Sequence, residues 1–109
     1  MTLMDLRDLL LTITPNVYHF DAGKATGNYI VWAEDGPGTT EHADDEVTCQ
    51  GIQGTIDYFT KDEFDPMFDQ IQAILNSSDL TWELNSIQHE KETGYIHYEW
   101  VFEVVNAIG

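Results

Sequence analysis

A chain of 109 residues suits one domain with a single core, and its 42% apolar and 12% aromatic content argues against wholesale disorder. Twenty acids against four basic residues give a formal net charge of −16, which disfavours conventional binding to phosphate backbones or anionic membrane surfaces. It leaves room for DNA sliding past without adhering, or for a protein that imitates DNA.

Cys49 is the single cysteine, so an internal disulfide is excluded and a reducing compartment fits. No apolar run approaches the roughly 20 residues of a membrane span. The opening "MTLMDLRDLL" carries acids and no basic n-region, and is not expected to act as a signal peptide.

Taken in chain order, Leu3, Leu6, Leu9, Leu10 and Ile13 recur at helical spacing behind Thr2, a good N-cap. Pro15 disfavours helical geometry at Thr14 and ends the segment. "VYHF" and "NYIVWA" read as strands joined by a turn around "DAGKATG". Glu34 to Glu46, rich in acids and holding Gly36, Pro37 and Gly38, reads as a long solvated loop. Val47 to Phe59 returns to strand character, with Gly51 and Gly54 marking bulges or close backbone approaches. After a preliminary turn in "TKDEF", Asp65 caps a second helix and Pro66 takes its first position. Phe68, Ile71, Ile74 and Leu75 form that helix's apolar stripe, and "NSSD" ends it.

Two strands close the chain. A three-residue "ETG" loop with a left-handed glycine sets Lys91 against Tyr95, Gln88 against Tyr98, Leu84 against Phe102 and Trp82 against Val104. A one-residue slip would set Phe102 against Glu83, so the first register is preferred. The expected fold is α+β: an antiparallel sheet of about five strands with two helices on one face, in the order α-β-β-β-α-β-β. The single domain covers residues 1–109. Ile96, Tyr98, Trp100, Phe102 and Val104 then face the helices.

The same register sets His89 opposite His97 with Glu99 nearby, a trio able to hold zinc or a similar ion; a polar sheet face near a hairpin tip is the simpler reading. The loop "EDGPGTTEHADDE" lacks the spacing of an EF-hand. Cys49 and His42 are too separated for a nucleophile–base pair, and Glu99 and Glu103 stand about 13 Å apart at strand rise, beyond glycosidase separations. Phosphate-cradling, "GxSxG" and "HExxH" motifs are absent, so no catalytic residue, cofactor or metal is assigned. The face away from the helices is expected to carry Tyr29, Val31, Ala33, Phe59, Ile87 and Val101 beside the acids. Such a contiguous set suits a partner surface, with Tyr29, Val31 and Val101 as its candidate contacts.

Four segments, "MDLRDLLLTITPNVYHF", "NYIVWAEDG", "GTIDYFTKDEFDP" and "TGYIHYEWVFEV", resemble small tail terminator, tail completion or minor capsid proteins of long-tailed phages and prophages of Gram-positive bacteria. The resemblance spans almost the whole chain and involves no catalytic signature. It implies a structural virion protein made in the host cytoplasm, assembled as a ring, typically a hexamer, that caps the tail tube at the head–tail junction. Its implied partners are further copies of itself, a tail tube protein and a head connector, with genome DNA passing unbound and no membrane involved. An acidic DNA mimic, another head–tail connector component and a metal enzyme built on His89 and His97 are the alternatives.

Overall fold

Thr2 opens the first helix through a capping box. Its hydroxyl accepts from the Asp5 amide at 3.1 Å, and its own amide donates to the Asp5 carboxylate at 2.8 Å. The computed structural model describes residues 1–107, so the last two positions of the expected 1–109 domain lie outside the described residues. Helix α1 spans Leu3–Leu11, and strands β1 (Val17–His19), β2 (Tyr29–Ala43) and β3 (Glu46–Thr60) follow. Helix α2 (Pro66–Ser77) and strands β4 (Thr81–His89) and β5 (Ile96–Ala107) complete the chain. The fold is α+β.

Across the five-stranded sheet the order is β1-β2-β3-β5-β4. The expectation of a wholly antiparallel sheet is corrected: β1 lies parallel to β2, and the sheet is mixed. The segment Phe20–Asn28 is not a simple hairpin turn. Phe20, Gly23 and Gly27 take φ of +70°, +60° and +75°, and the chain loops back to its starting level before running forward again. The Phe20 amide donates to the Trp32 carbonyl and the Ile30 amide to that of Asn16, each at 2.9 Å, which closes the loop.

The stretch expected as a solvated loop is also corrected. Glu34 to Glu46 continues β2 into a long hairpin with β3, closed by Asp44 and Asp45, both at positive φ as a type I′ turn requires. Irregularities near Gly36, Pro37 and Glu41 absorb the residues that cannot keep a regular ladder. Gly54 is a close-approach point: a side chain there would collide with the Ala33 carbonyl and the Phe102 ring.

The final hairpin has a different turn. Its loop is Lys91–Gly94, with the Glu90 amide donating to the Tyr95 carbonyl at 2.8 Å and Gly94 at φ +80°. This shift alone would expose Trp82 and Leu84. An extra residue at Asn85 restores the faces, setting Leu84 against Trp100 and Trp82 against Phe102. Between bulge and turn the faces are exchanged relative to expectation. Ile87 therefore joins the helix side, opposite Tyr98, and His89 faces Ile96 instead of His97.

The core lies between the helices and one sheet face. Leu6 and Leu10 from α1 and Ile71 and Leu75 from α2 pack with Ile30, Trp32, Ile56, Tyr58, Trp100, Phe102 and Val104. The fully buried Trp100 also donates its indole N–H to Gln72 at 3.2 Å, tying α2 to the sheet. Truncating it to alanine would cost about 3–5 kcal/mol.

Candidate functional site

The sheet face away from both helices is built by the alternate residues of each strand. On β2 these are Tyr29, Val31 and Ala33; on β3, Thr55, Asp57 and Phe59; on β5, His97, Glu99, Val101 and Glu103. All are half-buried, because neighbouring side chains shield one another across the sheet. The three candidate contacts share this face. Val31 pairs with Asp57 and Val101 with Thr55, while Tyr29 lies at the end nearest the β4–β5 turn.

Tyr29 belongs to an aromatic cluster. Its ring stacks on Phe59 at 4.8 Å and meets Tyr95 edge-on at 5.8 Å and Tyr18 at 6.4 Å. The Tyr95 hydroxyl donates to the Gly27 carbonyl at 3.0 Å, and the Lys61 ammonium sits 4.9 Å above its ring. This cluster joins the β1–β2 loop to the last hairpin.

Beside it lies a polar centre. Asp57 and Glu99 are directly opposed across β3 and β5, and the His97 Nε2 is 2.6 Å from the Asp57 carboxylate. The His97 ring stacks on Phe59 at 4.3 Å, which fixes its plane. Asn85, the bulge residue, donates to the Glu99 carboxylate at 2.6 Å. The hydrogen bond to Asp57 raises the His97 pKa, burial opposes it, and the charges of Asp57, Glu90 and Glu99 add to the rise.

The expected His89–His97–Glu99 trio does not form, because the turn register moves His89 to the helix side. Asp57 takes its place. Its position between the apolar Ile56 and Tyr58 was visible in the alternation of "GTIDYFT", but its pairing with Glu99 joins strands separated in sequence by α2 and β4. His19 is elsewhere, stacked on Trp32 and bonded to Glu34 at 3.0 Å, and His42 is exposed near the β2–β3 turn.

The remaining candidates have structural surroundings. The Glu103 carboxylate accepts from the Thr39 amide and lies over Gly38 and Gly51, filling the space their absent side chains leave. Cys49 is half-buried, and burial together with Glu41 pushes its thiol pKa up, the wrong direction for a nucleophile. A groove of about 720 Å³ lies on the helix side between the last hairpin and the segment before α2. Phe64, Phe68, Ile87 and Tyr98 line it, and the sequence pattern does not disclose it because uniform alternation puts Ile87 on the other face.

No protein-family model matches the chain, and no curated protein matches it significantly. Among the described residues no helix is long and apolar enough to cross a membrane.

Proposed function

We propose that this protein is a non-enzymatic structural component of a phage virion, a ring-forming subunit that caps the tail tube and joins tail to head. The observation that carries the reading is the helix-free sheet face, where Tyr29, Phe59 and Tyr95 form an apolar end and Val31 and Val101 lie among acids. Apolar side chains spread over several strands favour a protein partner, and a second copy of the chain is the partner that a ring supplies. The segment resemblance to tail terminator and tail completion proteins supports the same role and suggests six subunits. A net charge of −16 supports passage of DNA past the assembly without adhesion.

In this reading the tail tube protein and head connector bind the rims of the ring, and the mature location is the head–tail junction. Each apolar side chain buried at a subunit contact contributes at most about 1.5–3 kcal/mol before ordering costs. The test is a Val31→Asp plus Val101→Asp variant, studied by native mass spectrometry and circular dichroism. Neither valine belongs to the buried core, so the variant is expected to fold and to lose assembly. A folded variant that still assembles would put the subunit contact elsewhere. A wild-type protein that stays monomeric and captures a DNA-binding protein would favour the DNA-mimic reading instead.

A further inference from the structure

We propose that Asp57, His97 and Glu99 form a binding site for a divalent transition-metal ion of the zinc class. Among the described residues, one ligand atom from each of the three comes within 4.8 Å of the others. A tetrahedral zinc ion at about 2.0–2.2 Å from each ligand needs donor separations of about 3.3–3.6 Å, within reach of small side-chain rotations. One imidazole nitrogen and two carboxylates are an appropriate set for zinc, cobalt or manganese, and leave at least one position open.

The surroundings favour a cation independently. Two carboxylates directly opposed on neighbouring strands repel each other. Among the described residues no lysine or arginine forms an ion pair with either one; Asp57 is paired with His97, and a metal ion would take the place of the proton they share. Partial burial strengthens the repulsion: the Asp57 side chain is 16% exposed and Glu99 is half-buried. A bound divalent ion would neutralise both acids while His97 donates its Nε2 lone pair.

Two outer contacts hold the donors in place. Asn85 orients Glu99 from the bulge, and Phe59 fixes the imidazole plane by stacking. The site lies within a single chain and does not rest on ring assembly.

The test uses the 109-residue chain after chelator treatment, titrated with Zn²⁺ by calorimetry and with Co²⁺ by visible absorption. One equivalent per chain is expected, with d–d bands for Co²⁺. Glu99→Gln and His97→Ala should each weaken binding at least tenfold, and Asn85→Ala about tenfold through lost orientation. His89→Ala should change nothing, since His89 lies on the other face. Circular dichroism checks folding, and if His97→Ala unfolds, the near-isosteric Glu99→Gln and Asp57→Asn carry the comparison. The proposal is overturned by the absence of saturable binding, by diffuse uptake of several equivalents insensitive to these variants, or by binding that instead follows His19→Ala and Glu34→Gln.

Discussion

Asp65 both caps α2 and satisfies buried hydroxyls. Its carboxylate accepts from the Met67 amide at 2.9 Å, from the Tyr58 hydroxyl at 2.6 Å and from the Thr60 hydroxyl at 2.8 Å. Burial raises its pKa, but the hydrogen bonds from Tyr58, Met67 and Thr60 together outweigh that and leave it below the ordinary aspartate value. Asp65→Ala is expected to cost about 2–4 kcal/mol in urea unfolding, about 1 from the cap and the rest from the orphaned hydroxyls. A depressed native pKa contributes stability above the unfolded value and loses it as pH falls through the native value. The advantage of wild type over Asp65→Asn should therefore shrink progressively below about pH 4, measured by paired urea melts. An advantage that grows with acidity would assign the wrong sign.

At the scale of elements, the β2–β3 hairpin departs most from the sequence reading. Because the ladder continues to the Asp44–Asp45 turn, amides between Glu34 and Glu41 that bond β3 should exchange slowly, while those at the turn exchange fast. Uniform rapid exchange from Glu34 onward would restore the solvated-loop description. The same hairpin makes a steric prediction. Gly54→Ala places a methyl against the Ala33 carbonyl, which is backbone and cannot rotate away. It should destabilise by about 1–3 kcal/mol, lowering the urea midpoint with little change in slope. At Gly36 a methyl would meet nothing within 4 Å, so Gly36→Ala serves as the control and should be milder.

The whole molecule is elongated, with extents of 53 × 24 × 22 Å and a Cα radius of gyration of 15.3 Å. A compact chain of this size would be nearer 13 Å. The difference is consistent with a hairpin whose residues Thr39–Val47 are all exposed. Its surface charge dominates any encounter with nucleic acid. Duplex DNA should show no measurable binding at physiological salt, since twenty acids face four basic residues. A gel-shift assay with retention that falls steeply as salt rises would overturn this, because such a slope counts neutralised phosphates.

Local chemistry was legible in the sequence wherever it depends on near neighbours. Thr2 and Asp65 cap their helices, Pro66 takes the first helical position, and Trp100, Phe102 and Val104 alternate into the core, all from spacings of a few residues. Tyr29, Val31 and Val101 were placed on the helix-free face by the same period-two rule. Ile87 and His89 fall on the opposite face, because the Lys91–Gly94 turn shifts the register by one residue and the Asn85 bulge restores it only beyond them; the cost of such a bulge depends on what it packs against. The parallel pairing of β1 likewise rests on Phe20 taking a left-handed conformation that no propensity of phenylalanine favours, beside Gly23 and Gly27, which adopt it freely. Asp57, His97 and Glu99 meet only because β5 inserts between β3 and β4, a choice made by burying Trp100, Phe102 and Val104 beneath both helices. Pairing between strands distant in the chain is decided by the free energy of the assembled core, so only the tertiary structure brings the three donors together.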